Sequence, residues 1–224
     1  MLSLRLNPNN SEARMTSECE LELVLKNILD GCNIEQKHLR KVSEFVSVVQ
    51  SGELINFGDQ NYQVVYDLCC GNGLLGMYLA LKYGEVTSFQ FDKVQTTKYC
   101  SLRKSISRIY PTVSNQIYFE EADIFDLDLS TTNLPVQQKK SGIVCAIHAC
   151  GDLTGRVVDI AIKNSLSFAI MPCCHKGSAY QFVQNDRLFL NYIRDQGYSV
   201  HVSFIDSKIT PKNKVFVGVP NKFT

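Results

Sequence analysis

From Val64 onward, short β-branched and aromatic runs alternate with longer amphipathic segments, the pattern of a parallel sheet built from βαβ units. Strands are predicted in VVYDL (64–68), VTSFQF (86–91), QIYFEE (116–121), GIVCAIH (142–148) and SFAIMP (167–172). Helices are predicted over 73–83, 93–109, 152–164 and 181–196. The last two apolar runs, YSVHVSFID (198–206) and NKVFVGVP (213–220), have no helical segment between them, so they are expected to pair as an antiparallel hairpin. The fold class is therefore α/β: a Rossmann-like seven-stranded, mostly parallel sheet with an antiparallel C-terminal hairpin and helices on both faces.

Ahead of the sheet, SECELELVLKNILDGC (17–32) puts Leu21, Leu23, Val24, Ile28 and Leu29 on one helical face. Ser17 and Glu20 read as a capping box and Gly31 as a stop. A second helix runs through IEQKHLRKVSEFVSVVQSG (34–52). Residues 1–15 are polar and read as a mobile lead, 16–55 as helices packed on the domain, and 56–224 as the sheet domain, one domain overall.

Composition narrows the setting. Hydrophobic residues make up 45% and charged residues 20% of the 224, ordinary for a globular chain. No apolar stretch suffices for a membrane span and the N-terminus lacks a signal-peptide core, so a cytoplasmic or nuclear protein with no membrane partner is expected. The nine cysteines are odd in number and include two adjacent pairs, Cys69-Cys70 and Cys173-Cys174, a usage that fits reduced thiols better than disulfides. A net charge of +1 gives no global attraction to nucleic acid, leaving only a local patch for any polyanion.

The chemistry starts at YDLCCGNGLLG (66–76), where Gly71, Gly73 and Gly76 stand at G-x-G-x-x-G spacing after a predicted strand. Such a turn serves a dinucleotide or S-adenosylmethionine. Asp67, four residues before Gly71, would face like charge in a pyrophosphate site. It suits the sulfonium and ammonium of S-adenosylmethionine. Asp92, at the end of the second strand, can accept from ribose hydroxyls, and Asp123, after the third, from an adenine amino group. Three acids at three successive strand ends favour S-adenosylmethionine over a nicotinamide cofactor, although each could singly be a helix cap or turn residue.

With these features the chain resembles the class I S-adenosylmethionine-dependent methyltransferases over residues 64–220. HACGDLT (148–154), PCCH (172–175) and TPKN (210–213) are similar to the signatures of a subfamily that includes the tRNA acceptor-stem 2'-O-methyltransferase and domains fused to glutathione-transferase-like modules. The resemblance implies S-adenosylmethionine as cofactor, held by Asp67, Cys69, Gly71, Asn72, Gly73, Asp92, Lys93, Asp123, Ile124 and His148. It also implies a wall around the transferred methyl made by His148, Cys150, Asp152, Cys173, Cys174 and His175. Period-two alternation puts His148 and Cys150 on one face of the fourth strand at its carboxyl end. A hydroxyl acceptor would need a base, for which His148 or His175 has the right pKa range. The cysteines could equally be small apolar packing residues, and zinc ligation lacks a C-x-x-C pair, so no metal is expected.

RNA is favoured over protein as methyl acceptor, with Lys176, Arg187, Lys208, Lys212 and Lys214 as candidate phosphate contacts and Tyr180 available to stack on a base. Near-zero net charge suggests a partner subunit that adds affinity. Two rival readings are a non-catalytic S-adenosylmethionine-binding module and an NAD-dependent oxidoreductase.

Overall fold

The computed structural model describes residues 18–52, 55–57, 62–130, 142–172, 180 and 185–221. A seven-stranded sheet in the order β3-β2-β1-β4-β5-β7-β6 organises the chain. Its strands are β1 (Val64–Leu68), β2 (Thr87–Asp92), β3 (Ile117–Glu121), β4 (Gly142–Ile147), β5 (Ser167–Met171), β6 (Tyr198–Phe204) and β7 (Lys214–Pro220). The helices are α1 (Glu18–Gly31), α2 (Gln36–Ser51), α3 (Leu74–Tyr83), α4 (Thr97–Ile109), the single turn α5 (Pro111–Ser114), α6 (Asp152–Lys163) and α7 (Asp186–Asp195).

β1 pairs in parallel with β2 and β4, β2 with β3, and β4 with β5. The C-terminal hairpin enters as expected: β7 inserts antiparallel between β5 and β6. The connection from Ile205 to Asn213 therefore emerges on the edge where the parallel strands end. Because the chain turns outward to β2 and β3 and then returns to β4 on the other side, the order reverses between β1 and β4. Open α/β sheets bind ligands at that point, beyond the carboxyl ends of the strands.

Side chains alternate along the inner strands and feed two cores. Val65, Ile143, Cys145, Ala169, Met171, Val215 and Val217 join the core shared with α1 to α4. Tyr66, Phe89, Val144, Ala146, Phe168, Ile170 and Phe216 join the opposite core, with Val157, Val158 and Ala161 of α6 and Phe189 and Ile193 of α7. The N-terminal helices are part of the first core through Leu21, Leu25, Leu29, Leu39, Phe45 and Val46.

Local chemistry sets the boundaries. α4 starts at Thr97, four residues later than its apolar pattern suggests, because the Thr96 hydroxyl caps it by accepting from the Tyr99 N–H. α7 starts at Asp186 because the Asn185 side-chain oxygen Oδ1 accepts from the N–H groups of Arg187 and Leu188. The Ser17 capping box and the 1–15 lead lie outside the described residues.

Candidate active site

After Leu68 the chain passes through three left-handed residues, Cys69 (φ 58°), Gly71 (φ 58°) and Gly73 (φ 73°), before α3 begins. Each glycine of the fingerprint has a different reason to be one. A Cβ on Gly73 would meet the Tyr99 ring at 2.5 Å, and one on Gly76 would come within 2.5 Å of Gln90 Nε2 and closer still to Ser88 Oγ. Gly73 lets the loop sit tight on α4, and Gly76 lets α3 sit tight on β2. Gly71 alone faces open space. Its backbone is the one a ligand can approach.

The acids first organise this loop. Asp67 is 2% exposed and accepts from the Gly76 N–H at 3.0 Å; burial raises its carboxyl pKa to about 7. Asp92 accepts from the Gly71 N–H at 2.7 Å and from the Lys93 N–H at 2.8 Å. Asp123 accepts from the Phe125 N–H and pairs with the Lys93 ammonium at 2.7 Å, whose hydrogen bond holds the carboxyl below its ordinary range. Asn72 accepts from the Leu74 N–H through its side-chain oxygen at 3.2 Å. Burial raises both thiols of the loop, Cys69 to about 12, so neither is a thiolate at neutral pH.

A cleft of about 250 Å³ opens over the loop. It gathers Asp67, Cys69, Gly71, Asn72 and His148 from the expected site, while Asp92, Lys93, Asp123 and Ile124 lie outside it. Its remaining wall includes His38, Lys41 and Val42 of α2. The glycine loop and the downstream signatures point to none of these three. A signal is nonetheless present: Lys41 interrupts the apolar stripe Leu39, Val42, Phe45, Val46 and Val49, and is itself buried.

His148 departs from its expected placement. Strand alternation would put it with Val144 and Ala146 on the α6 side, but β4 ends at Ile147 and His148 takes φ 69°. That left-handed turn swings the ring to the α2 side, where Nε2 lies 2.7 Å from Lys41 Nζ. The shared face expected for His148 and Cys150 is thus broken, since alternation stops where the strand does. Burial and the neighbouring Lys41 charge lower the His148 pKa to about 4, leaving a neutral ring at pH 7. Its Nδ1 is buried without a hydrogen-bond partner.

Cys150 follows in the loop before α6 and is disulfide-bonded, contrary to the expectation of reduced thiols; the six other described cysteines are free. Asp152 opens α6 and accepts from the Tyr180 N–H at 3.2 Å. Cys173, Cys174 and His175 lie outside the described residues, as does Lys176. Among the described residues no three His, Cys, Asp or Glu side chains are grouped to hold a metal ion.

The expected acceptor contacts divide. Tyr180 packs its ring so closely on Gly155 of α6 that a Cβ there has no room, and its hydroxyl donates to Asp159 at 2.8 Å. It is an anchor, not a free stacking platform. Lys214 is spent on Asp186. Lys208 and Lys212 are exposed on the Ile205–Asn213 connection, at the carboxyl edge, and Arg187 is exposed on α7.

Residues 37–180 match a family model described as a methyltransferase domain. A glutathione S-transferase C-terminal domain-containing protein of Xenopus laevis is 34% identical over 121 residues, 54% of this chain and 17% of the relative. Its Homo sapiens counterpart is 28% identical over 147 residues, 65% of this chain and 20% of the relative. The chain thus spans about a fifth of the length of these relatives. Among solved structures, a CurJ carbon methyltransferase aligns with TM-score 0.53 at 9% identity, covering 80% of this chain and 54% of that one. A precorrin-6y C5,15-methyltransferase from Geobacter metallireducens aligns with TM-score 0.50 at 12% identity, covering 84% and 88%. These likenesses carry the fold alone, and among the described residues no helix is long and apolar enough to cross a membrane. The family model, which takes in α2, the glycine loop and the end of β4 together, places the chain in the methyltransferase-domain family.

Proposed function

We propose that the chain transfers a methyl group from S-adenosylmethionine to RNA, with the cofactor laid across the glycine loop at the reversal between β1 and β4. The observation that carries the reading is Gly71: open above, left-handed, and tied through its N–H to Asp92. An Asp92 already holding the loop keeps lone pairs for ribose hydroxyls. Lys93, Asp123 and Ile124 extend the adenine side; Asp67, Cys69, Asn72, Gly73 and His148 enclose the methionine side. The methyl then sits near His148, Cys150 and Asp152, with Cys173, Cys174 and His175 expected from the PCCH signature to complete the wall.

A buried carboxyl whose pKa stays raised although the Gly76 N–H and the Gln90 side chain hydrogen-bond to it suits a cationic ligand and is poor company for a pyrophosphate. The RNA assignment is supported by the three downstream signatures and by Lys208 and Lys212 on the edge where the cleft opens. Calorimetry with S-adenosylhomocysteine and with NADH tests the cofactor. Binding of the first and not the second is expected, and Asp92→Ala should weaken it by about 1.5–3 kcal/mol. Binding of NADH alone would make the chain an oxidoreductase. Incubation of cell extract with labelled methyl donor, followed by separate ribonuclease and protease digestion, tests the acceptor. Ribonuclease-sensitive label is expected, protease-sensitive label would move the acceptor to protein, and no label despite tight cofactor binding would leave a binding module.

A further inference from the structure

Two groups in the cleft have needs that the described chain does not meet. Lys41 is only 9% exposed, yet none of the ion pairs among the described residues includes it. Its one hydrogen bond goes to His148, and its charged neighbour is the like-charged Lys37. A mostly buried ammonium without a counter-charge is costly unless something supplies one. His148 accepts from that ammonium at Nε2, which fixes the ring hydrogen on Nδ1. That N–H is the second unmet group, buried and without an acceptor. His38 lines the cleft beside them. The same lining contains one acid, Asp67.

The cleft therefore offers one ammonium with two imidazole rings beside it, whose proton affinity burial and that ammonium lower, and a single carboxyl, joined by apolar wall from Val42, Leu74 and Ile147. An α-amino acid zwitterion presents the complementary pair, carboxylate and ammonium on one carbon, followed by methylenes. Resting on the cofactor reading above, we propose that Lys41, with His38 and His148 beside it, binds the carboxylate of the cofactor's methionine tail while the tail's ammonium faces Asp67. A backbone phosphate of an acceptor fits less well, because it satisfies Lys41 but brings a like charge toward Asp67. The cofactor tail answers both ends. The helix α2 then belongs to the cofactor site, to which it brings the buried Lys41.

The test is calorimetry on the full chain with three probes: S-adenosylhomocysteine, its decarboxylated analogue S-adenosyl-3-thiopropylamine, and 5'-methylthioadenosine, which lacks the whole amino acid. Wild-type chain should bind the first about 10- to 100-fold more tightly than the second. Lys41→Met should lose that preference by binding S-adenosylhomocysteine more weakly, while its affinity for 5'-methylthioadenosine stays that of the wild type. Lys41→Arg should recover part of the preference. The comparison of probes on wild-type chain needs no variant, so a misfolded Lys41→Met does not spare the proposal. Equal wild-type affinity for the first two probes overturns it and leaves the cofactor reading standing. So does a Lys41→Met chain that binds S-adenosylhomocysteine at full strength but fails to transfer methyl, since Lys41 would then serve the acceptor. Wild-type chain that binds none of the three probes overturns the cofactor reading and this proposal together.

Discussion

The carboxylate of Asp67 accepts the backbone N–H of Gly76 at 3.0 Å, locking the last strand residue but one to the first turn of α3. Both groups are buried, and the carboxyl's raised pKa of about 7 has burial as its main cause. A carboxyl that binds protons more tightly folded than unfolded contributes stability that is complete below the unfolded value near 3.8 and is lost as pH rises toward 7. At ~1.36 kcal/mol per pKa unit the loss is at most on the order of 4 kcal/mol. Asp67→Asn keeps an oxygen for Gly76 and removes the titration. Thermal melts of the ligand-free chains at pH 4 and pH 8 should show wild type losing stability relative to Asp67→Asn. S-adenosylhomocysteine affinity should rise with pH through about 7 in wild type and be weak and flat in the variant.

Gly71 and Gly76 share a motif but should respond oppositely to a methyl group. At Gly76 the new Cβ would drive into Ser88 Oγ and Gln90 Nε2 of β2, forcing α3 off the sheet, at a cost of about 1–3 kcal/mol. At Gly71 there is room, so Gly71→Ala pays only the left-handed backbone penalty of about 1–2 kcal/mol. Its methyl, however, points into the space the ligand needs. Urea unfolding should rank Gly76→Ala as the less stable protein, whereas calorimetry should rank Gly71→Ala as the weaker S-adenosylhomocysteine binder.

Asp159 receives two phenols, Tyr180 Oη at 2.8 Å and Tyr192 Oη at 2.5 Å, and so pins residue 180 to α6 and α7. Tyr180→Phe keeps the ring and deletes one hydrogen bond to a charged acceptor, which should cost about 1.5 kcal/mol in urea unfolding. A base-stacking Tyr180 would make the opposite prediction. Phenylalanine stacks as well as tyrosine, so the same variant would then be as stable as wild type.

The sheet was legible because its strands are apolar runs separated by helical periodicity, and the hairpin because nothing helical stands between 206 and 213. The ends of elements were less so. Thr96 and Asn185 start their helices by side-chain caps that apolar spacing does not register. The glycine loop and its acids could be read from local spacing, since Asp67, Gly71 and Asp92 are neighbours through adjacent strands. The α2 contribution could not, because Lys41 and His148 are 107 residues apart and meet only through a left-handed residue that ends the strand's alternation. Periodicity does not encode that swing. Tyr180 and Lys214 likewise show only their residue type in the sequence, and their partners, Asp159 and Asp186, are tertiary facts.

The pairing of Lys214 redistributes the charges available to an RNA acceptor. Its ammonium lies against Asp186 of α7 and over the Phe216 ring at 6.0 Å, so it is neutralised in place. Lys208 and Lys212 are exposed on the turn between β6 and β7 and stand in none of the ion pairs among the described residues. Removing one lysine that neutralises a phosphate should flatten the dependence of log affinity on log salt by about one unit. Lys208→Ala and Lys212→Ala should each do so, without changing S-adenosylhomocysteine affinity, and the double variant should flatten it by about two. Lys214→Ala should leave the slope alone and instead lower stability, since it strands Asp186. Fluorescence titration of labelled RNA across a salt series reads the slope, and urea unfolding reads the stability. A slope that responds to Lys214 and ignores Lys208 and Lys212 would move the RNA path off the β6–β7 turn and toward α7.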